Sequence, residues 1–247
     1  MPTLRVVTFN ILHGRTVGGG VDPLLLRDAI RRLGPDILAL QEVDVDQERS
    51  GRTDLTAVAA EAMDAVAHRF VAAIAGTPGS TWAAATGAER PGAAAYGIAL
   101  LSRYPASDWR VLRLPPVPRR VLIASDEPRA AVMAGFDTPL GPLTVATTHL
   151  TFVPGWNRRQ LRRVVAAVNE RPGPRLVVGD LNLRASVARR ESGMHTLAVA
   201  PTYPAHRPRR QLDHVLTNDP GLSARHWEAP AMPISDHRPL VVDLRRR

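Results

Sequence analysis

Residues 175–182 read RLVVGDLN, Arg175 to Asn182. The apolar run 175–178 has the β-branched content of a buried strand, and it stops at a glycine followed by two polar residues, Asp180 and Asn182. The same hand-over from apolar strand to polar tip recurs along the chain. Strand 4–10 ends in TFN at Asn10, strand 36–43 in LQEVD at Glu42, and strand 143–149 in TTHL at His149. LDHV carries Asp213 beside an apolar strand at 212–216, and SDH places Asp236 and His237 just before the strand 240–244. A sheet is a rigid frame whose loops are free to carry chemistry, so polar residues at this many strand ends point to a site on one sheet edge.

Between these tips the pattern alternates between helix and strand. Helical spacing over 24–33 is opened by Asp22-Pro23 and closed by Gly34-Pro35, a start and stop that backbone geometry favours. An Ala-rich helix is expected over 54–68 with Asp54 as its cap, then a loop over 77–95 with a short strand near Trp82. Strands at 96–102, 109–114, 129–136 and 143–149 follow with few helical signals, and the last two are joined by a Pro-Leu-Gly-Pro turn. Such a run favours antiparallel pairing. A helix over 156–168 precedes RLVV. Two halves, each with helices and strands and no long linker between them, predict one domain over 1–247 in which two sheets pack together under outer helices.

Composition narrows the class. The 247 residues are 45% hydrophobic, enough for a sizeable core, and contain no cysteine, which excludes disulfides and thiolate metal sites. The first strand begins too early for a signal peptide's apolar core, and no run reaches the roughly 20 apolar residues of a membrane span. The expectation is a soluble, cytoplasmic protein. A formal charge of +9 favours polyanionic partners. All 32 basic residues are arginine, however, and alanine is abundant, a joint bias that coding-DNA base composition also produces.

Each polar tip alone has a structural explanation: Asn10 as a turn residue, Glu42 as a solvated strand end, His149 as a core histidine, Asp180 and Asn182 as an Asx turn, SDHRP as a loop. Asp213 fits less easily, because an unpaired carboxylate among apolar neighbours is costly. As an ordered set, Asn10, QEV, GDLN and SDH resemble the endonuclease/exonuclease/phosphatase superfamily over nearly the whole chain. The resemblance implies a four-layer α/β/β/α sandwich of two mixed sheets and outer helices, and metal-dependent hydrolysis of phosphoesters. By that resemblance Glu42 and Asp236 are metal ligands with Asn10 in the same shell, and the all-oxygen set suits Mg²⁺ or Mn²⁺. It also implies that Asp180 and Asn182 position and deprotonate the attacking water, that His237 stabilises or protonates the phosphoryl oxygens, that Asp213 orients His237, and that His149 touches phosphate. Arg129, in EPRAAV with Glu127, is a candidate to grip phosphate bidentately.

The substrate is open at this level. In TFVPGWNRRQLRR, after His149, Phe152 and Trp156 lie beside Arg158, Arg159, Arg162 and Arg163. Rings next to arginines fit base stacking and backbone neutralisation in nucleic acid, a peripheral membrane contact, or a plain solvated helix face. The leading expectation is a monomeric phosphodiesterase or nuclease. A phosphatase or phospholipase-like hydrolase of lipid headgroups or small phosphoesters is the alternative, and a catalytically silent binding module the third.

Overall fold

Along the first strand, Leu4 and Val6 point to one side and Val7 and Phe9 to the other, and all four are fully buried. A strand of this kind needs a packed layer on each side. The computed structural model describes residues 2–90, 92–118 and 126–247; Met1, 119–125 and Pro91, which falls in the expected 77–95 loop, lie outside the described residues. In chain order the elements are β1 (Leu4–Asn10), α1 (Pro23–Leu33), β2 (Ile37–Val45), α2 (Leu55–Ala62), β3 (Ala67–Gly76), β4 (Trp82–Ala84), β5 (Ala95–Ser102), β6 (Ala106–Arg113), β7 (Ala130–Thr138) and β8 (Gly141–His149). They continue with α3 (Trp156–Asn169), β9 (Arg175–Asp180), α4 (Ala185–Ser192), β10 (His195–Thr196), β11 (Asp213–Thr217), β12 (Leu222–Glu228) and β13 (Leu240–Arg246).

The strands form a seven-stranded sheet ordered β12-β13-β1-β2-β5-β3-β4 and a six-stranded sheet ordered β10-β11-β9-β8-β7-β6. Each is mixed: β1 with β2 and β8 with β9 run parallel, the other pairs antiparallel. Side-chain alternation divides the apolar residues into three cores. Val6, Ile37, Leu100, Val132, Val145, Val178 and Val242 meet between the sheets. Val7, Phe9, Leu38 and Leu40 face Leu26, Ile30 and Leu55 of α1 and α2, and Met133, Ala146 and Val177 face Leu161, Val164 and Val168 of α3. Three cores between four layers make the α/β/β/α sandwich.

Local chemistry sets the boundaries as expected for α1. The Asp22 carboxylate accepts from the Leu24 and Leu25 amides, and Gly34 ends the helix in the left-handed region at φ 56°. The second expected helix is shorter than its sequence suggests. It ends at Ala62, Asp64 turns the chain at φ 53°, and residues 67–76 are β3 instead. Alanine-rich AHRFVAAIAG has weak strand character of its own; pairing with β5 over nearly its whole length overrides it. Helix α4 and strand β12 were also not apparent in the sequence. β12, LSARHWE, is a polar edge strand with its outer half exposed, so it lacks the apolar alternation that marks a covered strand.

Candidate active site

The topology brings the polar tips to one edge. β1, β2, β8 and β9 end there, while β7, β11 and β13, antiparallel to a neighbour, begin there. Register does the fine placement: Asp213 pairs with Asp180 across β11 and β9, and Asp180 pairs with His149 across β9 and β8. Three functional candidates therefore stand in one row. Gly179 makes this row possible. Its φ is +138°, and a Cβ there would lie 2.0 Å from the Thr148 carbonyl oxygen on β8.

Glu42 reaches the site by a β-bulge. The ladder with β5 shifts register between Gln41 and Val43, and Glu42 takes φ 57°, which makes it the extra residue. Gln41 still points between the sheets, with its Oε1 accepting from Thr8 Oγ1 at 3.3 Å and its Nε2 donating to Thr147 Oγ1 at 3.3 Å. Val43 returns to the helix-facing core. Beyond the bulge, buried Asp44 holds Arg49 bidentately at 2.8 and 2.7 Å, and Arg49 lies 5.5 Å from the centre of the Tyr96 ring. Tyr96 in turn lines the site cavity.

Asn10, 1% exposed, is the strut of the centre. Its Nδ2 donates to Glu42 Oε1 at 2.9 Å and to Asp180 Oδ2 at 3.1 Å, while its Oδ1 accepts from the Leu12 amide at 3.1 Å. It thereby orients the carboxylates on either side of it. Asp180 Oδ1 accepts from the Asn182 amide at 3.0 Å. Its Oδ2 lies 3.5 Å from His149 Nε2 and 3.8 Å from His237 Nε2. Burial, followed by the charge of Asp213, raises the Asp180 pKa from 3.8 to about 7. Asn182 Nδ2 donates to Leu150 O at 2.9 Å, and its carbonyl accepts from Asn157 Nδ2 at 3.1 Å, so the first turn of α3 anchors the GDLN loop.

SDH is fastened to the end of β1. Ser235 Oγ donates to Asn10 O at 2.6 Å and accepts from the His237 amide at 3.0 Å. Asp213, fully buried, accepts from His237 Nδ1 at 2.9 Å through Oδ2, as expected for a carboxylate that orients this histidine. Burial opposes charge on His237, but Asp213, then Asp180 and Asp236, outweigh it and raise the pKa to about 10. His149 goes the other way: burial, then the charges of Arg129 and His237, push it well below its ordinary value.

A cavity of about 600 Å³ opens over these groups, lined by Asn10, Glu42, Glu127, Arg129, His149, Asp180, Asn182, Asp236 and His237. Phe152, 65% exposed, stands at its mouth. Trp156 and Arg158, expected to bind substrate, do not line it. Trp156 sits under Arg159 at 5.1 Å, and Arg162 of the same helix is tied to Glu191. Arg129 lines the cavity, but its guanidinium is turned onto His149, Asp126 and Glu127. Tyr96, Asp126, Tyr203, Arg210 and Leu212 complete the wall, and the Tyr203 ring packs 4.9 Å from that of His237. The segment that carries Tyr203 and Arg210 has no periodicity, so nothing in the sequence singled out those two residues.

The sequence pattern of the Endonuclease/Exonuclease/phosphatase family matches residues 7–237. The chain belongs to this family. Members of the endonuclease/exonuclease/phosphatase family are phosphoester hydrolases, and this enzyme is one. Among solved structures it is similar to an endonuclease/exonuclease/phosphatase from Beutenbergia cavernae, at 24% identity and a TM-score of 0.79, over 100% of this chain and 72% of that one. The human Nocturnin catalytic domain with bound sulfate matches at 19% identity and a TM-score of 0.66, over 100% of this chain and 94% of that one. Sphingomyelinase C from Streptomyces griseocarneus matches at 16% and 0.66, over 98% and 99%. A search of curated protein sequences gives no match. Among the described residues, no helix is long and apolar enough to cross a membrane.

Proposed function

We propose that this enzyme hydrolyses phosphodiesters, with nucleic acid as the substrate class, and uses a divalent cation, Mg²⁺ or Mn²⁺. The observation that carries the reading is the placement of Asp180. One carboxylate oxygen lies among the Asn10 amide and two histidine Nε2 atoms, in a cavity that Glu42, Glu127 and Asp236 also line. Groups able to handle a proton and a cluster of acids thus share one cavity.

The cluster of acids suits a hard cation. Burial raises the Glu42 pKa, the Asn10 hydrogen bond opposes this, and the charges of Glu127 and Asp236 raise it further, as expected of carboxylates gathered where a positive charge belongs. The donors are all oxygen, the set that Mg²⁺ and Mn²⁺ prefer. Glu42 and Asp236 would hold the ion, with Asn10 fixing Glu42. Asp180, Asp213 and His237 also present ligand atoms within 4.8 Å of one another. Their internal hydrogen bond and the nitrogen among them fit proton handling better than a Mg²⁺ shell.

A cation bound there would supply positive charge against the phosphate and lower the pKa of nearby water. The chain's own groups do the rest. Ionised Asp180 takes a proton from the attacking water, which the Asn182 side chain orients; the new P–O bond forms as the bond to the opposite leaving oxygen breaks, and that oxygen takes a proton from solvent. His237, kept cationic by Asp213, donates to the phosphoryl oxygen as negative charge develops. Phe152 at the mouth, with Tyr203 and Arg210 on the wall, suits a stacked base and its neighbouring phosphate. The sulfate on the Nocturnin domain, a phosphate-like anion, is consistent with a phosphate site in this fold.

A substrate panel tests the proposal: bis(p-nitrophenyl) phosphate, p-nitrophenyl phosphate, single-stranded oligonucleotide and sphingomyelin vesicles, each with Mg²⁺ or Mn²⁺. The expected result is turnover of the diester and the oligonucleotide. Turnover of the monoester alone, or of sphingomyelin alone, overturns the nucleic-acid reading.

A further inference from the structure

Two histidines flank Asp180, and their other ring nitrogens meet opposite partners. His237 Nδ1 faces the Asp213 carboxylate, an acceptor, at 2.9 Å. His149 Nδ1 faces Arg129 Nη1 at 3.0 Å. A guanidinium has five N–H groups and no acceptor, so this contact is attractive only if Nδ1 carries a lone pair. The His149 proton then sits on Nε2, which lies 3.5 Å from Asp180 Oδ2 and on the cavity wall. A second proton on the ring would place two N–H groups against each other.

Arg129 is itself held for this task. Its side chain is 7% exposed, and its other terminal nitrogen lies 3.6 Å from Asp126 Oδ1 and 3.5 Å from Glu127 Oε2. Those acids, from the segment entering β7, balance a charge that burial disfavours, and Tyr96 and Glu42 add to the same side. The other charged groups facing His149 are Asp180 at the end of β9 and His237 from the loop before β13.

We propose that Arg129 is a positioning residue: it locks His149 as the neutral, Nε2-protonated tautomer, a fixed hydrogen-bond donor to the phosphoryl oxygen. The two histidines then have unlike duties, with His237 contributing charge and His149 a neutral donor that takes no part in proton transfer. The depressed His149 pKa agrees with this division. The role in catalysis rests on the phosphoester reading; the tautomer does not.

The test is nitrogen NMR of uniformly ¹³C,¹⁵N-labelled protein at pH 7, with the His149 ring signals assigned by through-bond correlation to its own backbone. The expected wild-type spectrum shows His149 unprotonated at Nδ1 and protonated at Nε2. A proton on Nδ1 overturns the proposal, and this wild-type result decides even if no variant folds. Arg129→Met should release the tautomer and lower kcat on bis(p-nitrophenyl) phosphate about 10- to 100-fold, the usual range for losing a group that orients a site histidine, with KM little changed. Arg129→Lys, which keeps a cationic donor, should recover part of that loss. A folded Arg129→Met protein with unchanged tautomer and kcat sinks the proposal. If no phosphoester is turned over while the wild-type tautomer is as stated, the functional reading fails and the lock stands.

Discussion

Replacing Gly179 by alanine changes one hydrogen to a methyl at the point where β9 lies closest to β8. At φ +138° the backbone there is in a region nearly reserved for glycine, which costs a side-chain-bearing residue about 1–3 kcal/mol. The added Cβ would also stand 2.0 Å from Thr148 O, where real contacts stay beyond 3.0 Å, so the strands must part or twist. Parting them loosens ladder hydrogen bonds worth about 1 kcal/mol each. The combined loss is about 3–5 kcal/mol, and at roughly 2–4 °C per kcal/mol for a chain of this size, Tm should fall by about 10 °C. Because Gly179 pairs with Thr148 and the next pair is Asp180 with His149, the surviving folded enzyme should also lose turnover. Thermal denaturation by circular dichroism, with kcat measured well below the transition, reads both. A variant with wild-type Tm and kcat refutes the claim that this close approach sets the row of Asp213, Asp180 and His149.

The charge on His237 predicts a pH dependence. Its folded pKa of about 10 lies above the unfolded value near 6.5, so its contribution to stability is full below pH 6.5 and is lost as pH rises towards 10. In metal-free protein, urea stability should therefore fall by a few kcal/mol over that window, and Asp213→Asn should flatten the fall; parallel curves for the two proteins would contradict the pairing. Glu42→Gln should weaken Mn²⁺ binding at least about tenfold, roughly 1.4 kcal/mol, while leaving the metal-free protein no less stable, because it removes charge from an acidic wall. Calorimetric titration beside thermal denaturation checks both signs, and unchanged Mn²⁺ affinity removes Glu42 from the ligand set.

The sequence made the strand tips readable because each combines an apolar run with an abrupt polar end, and chemistry concentrates at such ends. RLVVGDLN, TTHL and SDHRP gave their strands and their cavity residues together. Asp213 was readable for a different reason, since a carboxylate inside LDHVL demands a partner, and it has one in His237. What stayed hidden depends on contacts distant in sequence. β3 is alanine-rich and becomes a strand through β5, while β12 is a polar edge. The bulge at Glu42 appears only in the pairing with β5. Tyr203 and Arg210 come from a segment without periodicity, and the turn of Arg129 onto His149 depends on where β7 starts beside the end of β8.

The central claim is that Asp180 is the base for hydrolysis of a phosphodiester in this cavity. The direct measurement is turnover of bis(p-nitrophenyl) phosphate by wild type and by Asp180→Asn, at saturating Mg²⁺, with circular dichroism confirming that both are folded. Asparagine keeps the size of the side chain and its acceptor for the Asn182 amide but removes the basic oxygen between Asn10 and the two histidines. The account predicts wild-type turnover and a loss of about 10²–10⁴ in kcat for the variant. A folded Asp180→Asn enzyme with wild-type kcat would contradict it.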